Sequence, residues 1–314
     1  MQIMDLHDRR RFMRLAAGLT AGAFLSGCGG GRSDEASEAI VVVPAPAAGG
    51  SPIAPTALTS HPLNLALNLA YLGAQFYSYA AFGRGLTGDI SSGVGRPGPA
   101  AGARQASFSD PIVAGYAAEL AADTQAHVVA LRQHMGSLAA AQPTMDLSTG
   151  PSSAFSLAAQ GASIVPGGAS FDPYADDEAF LLGAFLVENV AAAAYRTLLV
   201  QRIDDTASLV LTANLADSIY HAGLVRSLLD SRTASRIPAD RALGNTSMLL
   251  ATIDGTDAGD QTLAGATGVS SDVVDADGRA IPFTRDTAQV LSRLYLSGNG
   301  AGGFLPAGAN GIVA

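Results

Sequence analysis

The chain has 314 residues, 48% of them hydrophobic, enough for one large or two small folded domains with a sizeable core. Its formal charge is −9, it contains no lysine, and its arginines are scattered along the sequence, which argues against nucleic acid or anionic lipid as a partner. A single cysteine, Cys28, excludes disulfides and cysteine-built metal sites.

At the start, Asp8-Arg9-Arg10-Arg11-Phe12-Met13-Arg14 precedes an uncharged, mostly apolar run from Leu15 to Leu25, the pattern of a twin-arginine export signal. The run is too short to span a bilayer as a helix. It ends at Leu25-Ser26-Gly27-Cys28, which looks like a bacterial lipobox, where the thiol of the last residue takes a diacylglycerol before cleavage. Residues 1–27 are therefore expected to be removed. Cys28 becomes the lipidated first residue, and its lipid is the expected link to a membrane of the bacterial cell envelope. Four arginines and two aspartates leave with the signal, so the charge of the mature chain is −11. Residues 28–60, rich in Gly, Ser, Pro and Ala, read as a disordered tether.

Leu65, Leu69, Leu72, Phe76 and Tyr79 recur at alternating steps of four and three, one face of a first helix from Pro62 to about Phe82. A Gly/Pro/Ser-rich stretch follows, and Leu120, Thr124, His127, Leu131 and Met135 then mark a second helix from about Pro111 to Gly136. A long loop runs to Asp177. The spacing predicts a third helix from Glu178 to about Arg202 and a fourth from about Thr206 to Ser231, antiparallel neighbours because their connection is short. Residues 233–314 read as an extension packed on the bundle, with one short helix at Asp286 to Leu296 and Phe283, Leu291, Leu294 and Phe304 as anchors.

The helices repeat. Ala122-Asp123-Thr124-Gln125-Ala126-His127 with Leu131-Arg132 matches Ala216-Asp217-Ser218-Ile219-Tyr220-His221 with Val225-Arg226, and Ala70 and Tyr77 match Glu188 and Tyr195 at the same spacing. The folded part, residues 61–232, is thus a tandem duplication of a helix pair. Across its pseudo-twofold axis Ala70 faces Glu188, Thr124 faces Ser218, and His127 faces His221. Glu188 is the only acid between Ala179 and Gln201 and is expected to be buried.

These residues resemble the ferritin-like family, whose di-iron members place a Glu on each of two helices and Glu-x-x-His on each of the other two. Asn68-Leu69-Ala70-Tyr71-Leu72-Gly73-Ala74-Gln75-Phe76-Tyr77 looks like the family's first-helix motif with its acids replaced. Phe283-Thr284-Arg285, Gln289-Val290-Leu291, Gly302-Gly303-Phe304-Leu305-Pro306 and Asn310-Gly311-Ile312 are similar to the desiccation-related branch. The resemblance implies an all-α, antiparallel four-helix bundle. Carried over position by position, it puts Ala70, Thr124 and Ser218 where three of four metal carboxylates belong, leaving Glu188, His127 and His221. Such a set lacks the bridging oxygens and the charge that two iron ions need.

Two readings follow. In the first, no cofactor is expected: Glu188 is a buried acid hydrogen-bonded to one or both histidines, in a non-catalytic envelope lipoprotein serving as a stress-protection or partner-binding scaffold. In the second, His127, Glu188 and His221 hold a single ion of iron, manganese or zinc in a metal-binding or redox protein. Asp123 and Asp217 are either orienting carboxylates for the histidines of their own helices or solvated acids on the rim. Arg132 and Arg226 are expected as surface or inter-helix ion-pair partners.

Overall fold

A computed structural model describes residues 61–232, 238–255 and 285–312; the expected signal, Cys28, the tether and Phe283 lie outside them. The bundle helices are α1 (Leu63–Phe82), α3 (Pro111–Met135), α5 (Asp177–Gln201) and α6 (Asp205–Asp230). Short α2 (Gly88–Ser91) and α4 (Ala154–Gly161) lie in the connections, and α7 (Ala239–Asp254) and α8 (Thr287–Tyr295) follow the bundle.

Aspartates start three of the four bundle helices. Asp110 caps α3 ahead of Pro111, Asp176 caps α5 by accepting from the Ala179 amide, and Asp204 caps α6 by accepting from the Ala207 amide. The α1 helix ends at Gly83, whose φ of 68° lets its amide turn back to the Tyr79 carbonyl. Only Arg202, Ile203 and Asp204 separate α5 from α6, so these two run antiparallel. Ion pairs clamp α3 antiparallel to α6 at both ends, His134 to Asp204 at 3.3 Å and Arg232 to Asp110 at 3.2 Å.

Burial divides the four helices into two kinds. In α1, 17 of 20 residues are buried, and in α5 17 of 25; in α3 the number is 10 of 25 and in α6 7 of 26. Thus α1 is covered all round, whereas its sequence pattern suggested one buried face. The cover comes from the connections and the C-terminal segment. By composition α5 is apolar and long enough to cross a membrane, but 78% of its most apolar stretch is buried within the protein, as in a core helix. On α6 the buried positions are Ala207, Leu211, Asn214, Ser218, His221, Val225 and Leu229, a single seam of four- and three-residue steps.

The segment expected as one long loop before α5 holds α4 and β2 (Met145–Asp146), which pairs in parallel with β1 (Ala100–Ala101). Phe76 of α1 packs against Phe155 of α4 and Phe180 of α5, and Phe155 meets Phe304 at 4.9 Å, so one aromatic cluster joins the bundle to the C-terminal segment. Leu291, Leu294 and Phe304 are buried. The C-terminal strap then lies along the start of α1. Asn310 donates from its amide to Asn68 Oδ1 at 3.0 Å and from Nδ2 to the carbonyls of Arg96 and Ala141, while Asn68 Nδ2 returns a bond to the Asn310 carbonyl at 2.8 Å. Asn64 Nδ2 donates to the Gly311 carbonyl at 3.2 Å.

Candidate functional site

Glu188 stands midway along the buried helix α5 with 1% of its surface exposed. The Tyr77 hydroxyl of α1 donates to its Oε1 at 2.8 Å. His221 Nδ1 of α6 lies 3.5 Å from the same oxygen, close enough for an ion pair though not aligned as a hydrogen bond. Glu188 Oε2 is buried with no hydrogen-bond partner.

The two histidines meet the opposite repeat's aspartates. His127 Nε2 of α3 faces Asp217 Oδ2 of α6 at 3.1 Å, and His221 Nε2 of α6 faces Asp123 Oδ2 of α3 at 3.3 Å. Each aspartate precedes a histidine by four residues on its own helix but orients the histidine of the other one. It does so from the rim, with 40% of the Asp123 and 46% of the Asp217 side chain exposed. The aspartates thus sit on the rim, and the orienting role expected within one helix is instead played across the repeats. The two rings lie 6.5 Å apart between centroids.

Glu188 breaks this symmetry. Its repeat counterpart is Ala70, so His221 has a carboxylate beside its Nδ1 while His127 Nδ1 is buried with no hydrogen-bond partner. Burial opposes a charge on His221, but the Glu188 carboxylate and the Asp123 hydrogen bond outweigh it and push its pKa up to about 10. Burial, followed by the nearby Glu188 charge, drives the Tyr77 and Tyr195 phenols above their ordinary range, so both stay protonated. Thr124 turns its hydroxyl back to the Leu120 carbonyl at 2.6 Å, away from the acid.

The sequence profile of the family described as Ferritin-like domain matches residues 60–231, more than half of the chain. The chain belongs to the ferritin-like family. Among curated relatives, it is 27% identical over 176 residues to the desiccation-related protein PCC13-62 of Craterostigma plantagineum, covering 56% of this chain and 54% of that protein. It is 25% identical over 264 residues to the ferritin-like catalase Nec2 of Nesocodon mauritianus, covering 79% of this chain and 82% of that one. The chain thus spans about half of the first relative and most of the second. No solved structure gives a significant match.

The ferritin-like di-iron pattern does not fit the residues present. Where it needs four carboxylates, this ferritin-like bundle offers Ala70, Thr124, Glu188 and Ser218, and the Thr124 hydroxyl is already bonded to its own helix. Among the described residues no group of three His, Cys, Asp or Glu side chains is arranged to hold a metal ion. His127, Glu188 and His221 all reach the interior of the bundle, but each is bonded to a different protein partner.

Tyr77 and Asn214 belong to this core and were not expected as part of it. Tyr77 was a landmark of the repeat only; its reach to Glu188 depends on the offset between α1 and α5, which spacing along one helix does not reveal. Asn214 has a signal in the sequence, a polar residue in the apolar seam of α6 where the repeat counterpart is Leu120. Arg132, expected in an ion pair, instead donates to the Tyr71 hydroxyl at 2.6 Å and to the Ser92 carbonyl at 2.5 Å. The Arg226 guanidinium lies 6.0 Å from the centre of the Phe185 ring.

Proposed function

We propose that this ferritin-like protein is a non-catalytic scaffold of the bacterial cell envelope, serving stress protection or partner binding in the manner suggested by its desiccation-related relative. Its eroded metal site has become a structural polar core. The observation that carries this reading is the fate of Glu188, the one acid left at the family's four carboxylate positions, which is committed to Tyr77 and His221. The twin-arginine run and the lipobox at Cys28 support export and attachment by a lipid.

A second reading, a single iron, manganese or zinc ion at His127, Glu188 and His221, is favoured by the three buried atoms there that lack a hydrogen-bond partner: His127 Nδ1, His221 Nδ1 and Glu188 Oε2. The name of the catalase relative points the same way.

Both are tested on protein purified from the membrane fraction of a bacterial host with a twin-arginine pathway. Elemental analysis is expected to find far less than one metal per chain, peroxide is expected to persist, and mass spectrometry is expected to find a diacylglyceryl group on Cys28. Stoichiometric metal that disappears in Glu188→Ala, or metal-dependent peroxide decomposition, would overturn the scaffold reading. An unmodified Cys28 in soluble protein would remove the anchor.

A further inference from the structure

Two histidines and one aspartate gather where α1 begins. His61, just ahead of the helix, feels the charges of His134 near the end of α3 and of Asp204 at the start of α6. Asp204 is already engaged: its Oδ1 accepts from the Ala207 amide at 2.7 Å, and its Oδ2 faces His134 Nε2 at 3.3 Å. A cavity of about 160 Å³ beside His61 is bounded by Leu198 and Gln201 of α5, Thr287 near α8 and Ile312 of the strap. Among the residues lining it, only His61 titrates.

His61 performs two structural tasks there. Its Nδ1 accepts from the Leu63 amide at 3.2 Å, as a capping side chain does, and its own amide donates to the Gly311 carbonyl of the strap at 3.3 Å. The first bond needs a lone pair on Nδ1, so the ring is neutral and carries its hydrogen on Nε2. A second proton lands on Nδ1 and points at another N–H, which replaces attraction by repulsion. It also puts a cation at the positive end of α1, where Pro62 supplies no side-chain cap and the first turn holds no acid. Burial, followed by the His134 charge, holds the His61 pKa below 6.5 against the opposing pull of Asp204.

We propose that His61 is a pH-sensitive latch, which fastens the strap to the start of α1 at neutral pH and releases both in mildly acidic medium. The protonated ring cannot cap Leu63, and the cavity beside it gives the ring room to turn away. Losing the cap frees the backbone ahead of α1, which carries the amide that holds Gly311. The folded pKa is the lower one, so the latch is fully closed above pH 6.5 and opens as pH falls below it. The effect of His221 lies in the opposite range, above 6.5, so the two are separable. The latch lies apart from the Glu188 core, and its failure would leave the scaffold reading where it stands.

The test is amide hydrogen exchange on the purified protein at about pH 7.5 and about pH 5.5, on either side of the free histidine value, with rates referred to the intrinsic rate at each pH. Protection of the His61, Leu63 and Asn310 amides is expected to fall by about fivefold at the lower pH, while amides in the middle of α5 lose none. His61→Asn keeps an oxygen that caps Leu63 but cannot titrate, and is expected to hold full protection at both pH values. His61→Ala has no cap and is expected to lose protection at both. Full protection of the unsubstituted protein in acid, a drop that persists in His61→Asn, or full protection in His61→Ala would overturn the inference.

Discussion

His221 is held between a buried carboxylate and a half-exposed one, and that fixes how its charge is linked to stability. Its ring titrates near 6.5 when solvated and at about 10 in the folded protein. Because the folded value is the higher, the stabilisation is fully present below pH 6.5 and is lost as pH rises towards 10. The melting temperature is therefore expected to fall across that window. Glu188→Gln keeps an acceptor for Tyr77 but removes the largest influence raising the His221 pKa, so it should flatten the slope and lower the pKa of His221 in an NMR titration. Identical slopes in the two proteins would contradict the pairing. At this scale the burial of Glu188 was legible, because an acid surrounded by apolar residues on every helical face has nowhere else to go. The crossed His–Asp pairs were not. Four-residue spacing puts Asp123 and His127 on one face of α3, and only the packing of α3 against α6 shows that each aspartate serves the other helix.

Between elements, the first turn of α5 does two things at once. Asp177, 4% exposed, accepts from the backbone amides of Ser109 and Asp110 at 3.2 Å and from the Ser109 hydroxyl, tying the start of α5 to the start of α3. Asp177→Ala removes that shared acceptor and is expected to cost about 1–3 kcal/mol by urea denaturation, with the helix content of the folded state unchanged. The four bundle helices were legible to within one residue at each end, since apolar periodicity marks all four and Asp caps begin three of them. Helix α7 was not. Its buried positions include Thr246 and Ser247 beside Leu243 and Leu250, and Gly244 and Asn245 lower its intrinsic propensity, so no apolar stripe announces it. Tertiary packing holds it instead, with Leu243 and Leu250 buried in the hydrophobic core and the Thr246 hydroxyl turned back to the Ala242 carbonyl of its own helix at 2.8 Å. Helix α4 is short, eight residues, and its Ser156 is spent on bonds to Phe171 rather than on a pattern.

For the whole molecule, the closing contact is the strap on α1. Asn310 satisfies Asn68 and two carbonyls of the connections, and Gly311, at φ 70°, passes so close to α1 that an added Cβ would lie 2.3 Å from Asn64 Nδ2. Asn310→Ala keeps the backbone bonds to Asn68 but leaves the Arg96 and Ala141 carbonyls without their donor, and is expected to destabilise the protein by about 1–3 kcal/mol, read as a drop in the urea midpoint. A change within 0.5 kcal/mol, about the scatter of surface substitutions, would show that the Asn310 side-chain bonds are dispensable. The sequence revealed a bundle and a segment after it, while the wrapping of α1 rests on bonds between residues 242 positions apart, beyond the range of any local pattern. That distance orders events in time. While a ribosome is still making the chain, Asn64 and Asn68 sit in the first helix without their bonds to the strap, because the mate for Asn68 emerges 242 residues after it. The bundle therefore completes its core only after synthesis of the strap, and an intermediate that has not reached residue 310 carries an α1 whose Asn64 and Asn68 lack their strap bonds.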